Sequence, residues 1–238
     1  MALILSIETS EKICSIALGS DYELIGTLEI SDEKSHASML TILIEKLLRE
    51  KDIEINSLDA IAISKGPGSF TGLRIGVSCA KGICYALGLP LISVNTLQLL
   101  AQGFLQSLFL RKMKLETTDL LLCPMIDARR MEVYRAFFNC KEELVGEIEA
   151  EIIQETSFID ILLSQKVAFL GSGAEKCKHL IQHPNAFFVD GLRPNASYMV
   201  SIAYDAYLQK KFENLAYFEP FYLKDFTTTI PKRKSLTF

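Results

Sequence analysis

The sequence predicts a two-lobed α/β protein, each lobe a mixed sheet with flanking helices, and three observations predict it. Residues 1–110 read as short apolar strands, a helix, and then a strand–helix–strand crossover. A polar stretch from Arg111 to Asp119 interrupts that order. Strands and a second crossover then follow again, so the lobes are assigned to residues 1–110 and 111–238, with the last helix able to pack back on the first lobe.

The elements follow in order. Leu3–Glu8, Ile13–Leu18 and Glu23–Ile30 read as strands, the first two joined by the polar turn Thr9-Ser10-Glu11-Lys12. Helical periodicity runs from Ser35 to Glu50, with Ser31, Asp32 and Ser35 as candidate caps. Asp59–Ser64 reads as a strand, residues 70–87 as a helix, Leu91–Val94 as a strand, and Thr96 to about Leu110 as a helix. In the second half, strands are expected at Leu120–Ile126, Glu132–Asn139, Glu143–Ile153, Val167–Leu170 and Ala186–Val189. Helices are expected at Ser157–Ser164, Glu175–Ile181 and Ala196–Phe212.

Composition limits the function classes. At 238 residues with 49% hydrophobic and 23% charged residues, the chain can build real cores. A net charge of −4 argues against gripping nucleic acid over the whole surface, because phosphate neutralisation needs a basic field. Met1-Ala2-Leu3-Ile4 lacks a basic leader, and no apolar run reaches the roughly 18 residues of a membrane span. The six cysteines form no CxxC pair and most sit in apolar surroundings, as reduced cytosolic thiols do. A cytoplasmic protein without membrane contact is expected. The basic tail Pro231-Lys232-Arg233-Lys234-Ser235 reads as a solvated end.

The most informative stretch joins the fourth strand to its helix: Gly66, Pro67, Gly68, Ser69, Phe70, Thr71, Gly72, Leu73, Arg74. Walker A spacing fails, because no Gly-Lys-Ser/Thr follows any of these glycines at the right distance. The dinucleotide fingerprint fails because Thr71 stands where its third glycine belongs. By pattern this is a structural strand-to-helix turn, with Ser69 as N-cap.

No nucleophile–base set is apparent. The three histidines, His36, His179 and His183, lie near no Gly-x-Ser-x-Gly elbow, and Cys79 and Cys84 lack a neighbouring base. His179 and His183 have i, i+4 spacing, but Leu180 stands in place of a zincin glutamate and Pro184 follows, so no metal-ligating set is expected. The first hairpin has no glycine and two carboxylates, Glu8 and Glu11, which disfavours phosphate there. Gly171-Ser172-Gly173 is the other glycine turn. Asp127, Arg129 and Arg130 close a strand; Asp–Arg pairing is the common role of such residues, and contact with a phosphate across the interlobe cleft is the alternative.

Two helices carry the positive signal. On residues 70–87, Leu73, Val77, Ala80, Ile83, Cys84 and Leu87 make a core arc, and Gly72, Ile75, Cys79 and Ala86 make a second apolar stripe. On residues 35–50, Ala37, Leu40, Leu43, Ile44, Leu47 and Leu48 form the core arc, with Met39 and Ile42 outside it near Lys46. Small apolar residues and methionine on an otherwise polar side suit a subunit interface.

The wording Gly-Pro-Gly-Ser-Phe-Thr-Gly-Leu-Arg-Ile-Gly resembles the signature of the TsaB (YeaZ) family. So do Ile4–Ser10, Leu89–Val94 and Ile126–Tyr134. The resemblance implies the actin/Hsp70/sugar-kinase fold. It also implies a non-catalytic partner of TsaD, the subunit that places threonylcarbamoyl on the tRNA adenosine beside the anticodon (t6A). ATP and threonylcarbamoyl-AMP would be used by that complex, with no cofactor held tightly by this chain alone. Implied partners are a TsaD homologue, a second copy of this chain and a TsaE-type ATPase, with tRNA reached through the complex. TsaD carries a His-x-x-x-His metal pair after its equivalent of Leu91–Val94; here Thr96 and Leu100 fall at those positions. The alternatives are an ATP-dependent enzyme or a TsaD-like metallopeptidase of the same fold, and a plain homodimeric binding module.

Overall fold

The computed structural model describes residues 1–31, 36–107 and 120–224. Among these residues ten strands form two five-stranded sheets of one topology. The first half supplies β1 (Leu3–Glu8), β2 (Cys14–Ser20), β3 (Glu23–Ile30), β4 (Ala60–Gly66) and β5 (Leu91–Asn95), in the order β3-β2-β1-β4-β5. The second supplies β6 (Leu120–Asp127), β7 (Glu132–Phe138), β8 (Leu144–Ile152), β9 (Lys166–Leu170) and β10 (Ala186–Val189), in the order β8-β7-β6-β9-β10. In each sheet the first three strands are antiparallel and the last two run parallel to the first. Asp127, ending β6, is thus the topological counterpart of Glu8, ending β1.

Among the described residues six α-helices accompany the sheets: α1 (His36–Glu50), α2 (Phe70–Leu87), α3 (Thr96–Gln106), α4 (Ile159–Ser164), α5 (Ser172–Cys177) and α6 (Met199–Leu208). α1 and α2 cover the face of the first sheet carrying Leu5, Ile7, Ile61 and Ile63. On its other face Ile4, Ala62, Ile92 and Val94 meet Leu99 of α3 and Met199 and Ala203 of α6. The rest of α3, with Leu97, Leu100, Ala101 and Phe104, packs on the second sheet. α3 is buried on nearly all sides because it lies between two sheets, which explains its lack of a polar face. α4 and α5 close the far face of the second sheet.

Helix ends follow side-chain chemistry. Asn95 Oδ1 caps α3 by accepting from Leu97 N at 2.8 Å, and α2 ends at Gly88 in the left-handed region (φ 67°). Three expectations are corrected. The helix read at Glu175–Ile181 spans Ser172–Cys177, starting directly after Gly171, whose φ of 89° turns the chain out of β9. The helix read at Ala196–Phe212 is a 3-10 turn at Ala196–Tyr198 and then α6, stopping where Lys210 turns left-handed (φ 54°). Ala37 is exposed rather than part of the α1 core. The caps Asp32 and Ser35, the lobe boundary at Arg111–Asp119 and the basic tail lie outside the described residues.

After α6 the chain runs back as a strap along the first lobe. Glu213 N donates to Leu91 O at 2.8 Å, beside the outer strand β5, and Phe218 enters the α1/α2 core. Phe221 N donates to Lys65 O at 2.7 Å. Tyr222 packs on Phe70 with ring centroids 4.9 Å apart. The lobes are therefore interleaved: α3 serves both sheets, and residues 199–224 return from the second lobe to the first.

Candidate functional site

The glycine turn between β4 and α2 presses on the β1–β2 hairpin. A Cβ on Gly68 would stand 2.5 Å from Ser10 O, one on Gly72 2.0 Å from Thr9 O, and one on Gly76 2.2 Å from Thr9 Oγ1. These glycines let the start of the helix touch the hairpin backbone. Ser69 N donates to Ser10 O at 2.6 Å, Thr9 Oγ1 donates to Gly72 O at 2.8 Å, and Ser69 Oγ caps Gly72 N at 3.4 Å. The turn is engaged within its own chain. Around it, Gly66 (φ 112°) and Pro67 are buried, and a Cβ on Gly66 would stand 2.7 Å from Phe221 O. Thr71 is exposed, and Arg74 lies 3.9 Å over the Phe70 ring while donating to Tyr222 OH at 3.1 Å.

The hairpin itself is acidic. Glu8 is fully buried, and its Oε1 accepts from Ser10 N at 2.5 Å. Burial pushes this carboxyl up to about 7 from the usual carboxylate range. The Ser10 amide and the nearby Ser10 and Ser64 hydroxyls pull the other way, though neither hydroxyl completes a hydrogen bond to it. Burial raises the Glu11 carboxyl as well, opposed by the Ser172 hydroxyl. That hydroxyl donates to Glu11 Oε1 from the second lobe and accepts from Asp127 N at 3.1 Å. Ser172, at the start of α5, thus bridges Glu11 of the β1–β2 hairpin and Asp127 at the end of β6.

On the second-lobe side, Asp127 pairs with Lys176 and accepts from Arg129 N at 2.8 Å. The expected Asp–Arg side-chain pairing is therefore replaced by Asp–Lys. Arg129 and Arg130 sit exposed on the hairpin tip in left-handed conformations (φ 72° and 49°), and neither forms an ion pair among the described residues. Glu175 holds Arg193 through two hydrogen bonds of 2.8 and 2.5 Å, and the arginine holds its carboxyl below the usual range. Gly171 and Gly173 pack against Met125, with Cβ positions 2.7 Å from its carbonyl oxygen and 2.9 Å from its carbonyl carbon. Like the first glycine turn, this one serves contact within the chain.

Metal and nucleophile candidates stay apart. α5 ends before His179, so His179 and His183 do not share a helix, and His183 Nδ1 accepts from Asn185 N at 3.1 Å. Thr96 and Leu100 are fully buried in α3. No three His, Cys, Asp or Glu side chains gather among the described residues. All six cysteines are free thiols, and burial raises each above the ordinary thiol value.

The outward side of α1 and α2 is the other candidate surface. Ile42 is 51% exposed, Tyr85 is 85% exposed, and nothing lies within 4 Å of a Cβ on Gly82. Ala86 and Lys46 are exposed; Met39, Ile75 and Cys79 are half-buried. Gly72 does not belong to that surface, because it is buried against Thr9. Sequence patterning missed Ser64, Ser172 and the strap. Single serines and an aperiodic aromatic run carry no period to find.

A family model described as "TsaD: tRNA N6-adenosine threonylcarbamoyltransferase" matches residues 29–232. The "tRNA threonylcarbamoyladenosine biosynthesis protein TsaB" of Escherichia coli (strain K12) is 30% identical over 231 residues, covering 93% of this chain and 94% of that protein. Its namesake from Haemophilus influenzae is 29% identical over 243 residues, 94% of each. The solved structure of YeaZ from Pseudomonas aeruginosa superposes with a TM-score of 0.79 at 27% identity, covering 94% of this chain and 100% of that one. With its duplicated two-lobed actin-like fold and these relatives along nearly its whole length, the chain belongs to the TsaB (YeaZ) family.

Proposed function

We propose that this chain is the non-catalytic partner of a TsaD-type subunit in tRNA threonylcarbamoyladenosine formation. Its relatives carry the name of that pathway, and the actin-like fold places phosphate at a β1–β2 hairpin. The observation that carries the reading is the state of that hairpin. Glu8 and Glu11 stand where phosphate oxygens would approach, Glu11 is bridged to Ser172, and the glycine turn is engaged with Thr9 and Ser10. With Ser10 N bound to Glu8 and Glu11 bound to Ser172, the hairpin presents carboxyl oxygens rather than free amide donors to a triphosphate. The outward α1/α2 face around Ile42, Cys79 and Ala86 is free to take the partner, or a second copy of this chain in the partner's absence. ATP and threonylcarbamoyl-AMP are handled by the complex, a TsaE-type ATPase engages the assembly, and tRNA is reached through it.

The test is reconstitution with a TsaD-type subunit, the ATPase, tRNA, ATP and threonylcarbamoyl-AMP, omitting one protein at a time. Modification is expected to need this chain, which by itself transfers nothing to tRNA. Full activity without it, or transfer by it alone, overturns the proposal.

A further inference from the structure

At the amino end of β1, opposite Glu8 and the glycine turn, the β2–β3 turn, the end of α3 and the start of α6 border a cavity of about 380 Å³. Leu3, which opens β1, is in register with Ser20, so the turn carrying Tyr22 lies at this end of the sheet. Tyr22 and Leu24 form one wall, Gln106 a second, and Ser197, Tyr198 and Ser201 the third. Close contacts shape this space. A Cβ on Gly103 would stand 2.5 Å from the Tyr198 ring, and one on Gly19 2.7 Å from Val200 Cγ1. These two glycines let the 3-10 turn and α6 settle against α3 and β2. Tyr22 is fixed at both ends: its hydroxyl donates to Asp205 Oδ1 at 2.7 Å, and its ring meets Tyr204 edge-on with centroids 4.6 Å apart. Ser201 Oγ accepts from Gln102 Nε2 at 2.8 Å, which leaves its own proton to donate. Ser197 Oγ donates to Asn195 Oδ1 at 2.7 Å, which leaves its lone pairs to accept. Among the described residues no charged side chain lines the cavity.

We propose that this cavity binds a free nucleoside, a flat uncharged ring system carrying a hydroxylated sugar. Its volume falls in the range of small-molecule sites, roughly 300–1,000 Å³. Tyrosine rings already held in place, with Leu24 beside them, suit the flat face of a base, because every base presents a π-face to an aromatic ring. Ser201 supplies a donor and Ser197 an acceptor for the sugar hydroxyls. A phosphate is disfavoured: no lysine or arginine lines the cavity to meet it, and Asp205 stands behind Tyr22. A nucleoside within an RNA strand carries phosphates with it, so the free molecule is the better fit. The inference does not rest on the proposed role in tRNA modification, which uses the other end of the sheet and the α1/α2 face.

The test is saturation-transfer NMR on the full chain with adenosine as the probe, extended to a titration for affinity. Saturable binding of adenosine is expected, with AMP binding more weakly. Leu24→Asp places a carboxylate on the exposed wall, where a bound base would desolvate it, and is expected to weaken adenosine binding about ten-fold or more. Should that variant fail to fold, Gln106→Trp, at the exposed last residue of α3, fills the cavity instead and is expected to weaken binding as much. Absence of saturable adenosine binding by the folded wild-type chain overturns the assignment. Affinity unchanged in a folded Leu24→Asp, or in Gln106→Trp where Leu24→Asp is unfolded, puts the nucleoside elsewhere and overturns it equally. AMP binding as tightly as adenosine overturns it too, since a phosphate-holding site would then be at work.

Discussion

Gly72 and Gly76 sit on the same helix as Gly82, and the three differ only in what faces them. Cβ atoms on the first two would stand 2.0 Å from Thr9 O and 2.2 Å from Thr9 Oγ1, whereas Gly82 has nothing within 4 Å. Gly72→Ala and Gly76→Ala should therefore force the hairpin off the helix and destabilise the protein by about 1–3 kcal/mol. Gly82→Ala should instead stabilise it by up to about 1 kcal/mol through helix propensity alone. Thermal melts of the three variants check this; equal effects at all three positions would show that the hairpin contact is not what the glycines serve. Burial sets the thiols in the same local way, pushing Cys84 to about 11 and Cys14 to about 12. Thiolate is the reactive form, so iodoacetamide at pH 8 should leave Cys14 and Cys84 unmodified in the native chain and label both after denaturation. Rapid native labelling of either would contradict a merely packing role.

Among elements, α2 was legible to the residue because Ser69, a long apolar period and Gly88 mark its start, body and end. β4 and β5 were legible as apolar runs, off by one or two residues at their ends. α5 was misplaced because its start is set by Gly171 meeting Met125, a contact across the sheet that spacing does not encode. The strap had no reading beyond Phe212, where the expected helix ended, since Leu215, Phe218, Phe221 and Tyr222 follow no period. They are held by isolated backbone bonds to Leu91 and Lys65 and by one buried ring. The candidate site was legible to the same degree. Glu8 and the glycine motif stand out by composition, but Ser172 reaches Glu11 only because the lobes close on each other. The strap gives an element-level prediction. Phe218 is 8% exposed within the first-lobe core, whereas neighbouring Tyr217 is 84% exposed. Phe218→Ala should cost about 3–5 kcal/mol in urea unfolding, while Tyr217→Ala should stay within about 0.5 kcal/mol. Similar losses at both positions would mean that the strap is not anchored by Phe218.

At the scale of the molecule, two sheets of identical topology are joined where Glu11 of the β1–β2 hairpin meets Ser172 at the start of α5, backed by Ala196 N donating to Ser15 Oγ at 2.9 Å. A cleft closed by its own carboxylates should bind ATP weakly without a partner, and calorimetry giving low-micromolar affinity for the isolated chain would contradict this. What such a molecule offers outward is the α1/α2 pair. Ile42 and Ala86 are exposed there, whereas Ile75 and Cys79 are half-buried against the core below. A charged residue on this face meets only solvent in the monomer and changes stability by about 0.5 kcal/mol or less. In an assembly it is desolvated without a counter-ion, which costs several kcal/mol and lowers affinity by orders of magnitude. Ile42→Glu and Ala86→Arg should therefore abolish association with a TsaD-type subunit and with a second copy while leaving the melting temperature nearly unchanged. Ile75→Glu and Cys79→Arg should abolish it too, with some loss of stability from their half-buried stems. Size-exclusion chromatography with light scattering, run with and without the partner, separates the outcomes. If the two exposed-site variants stay folded and still assemble, the contact lies on another face and the helix pair has no part in it. If those two unfold instead, the face is core.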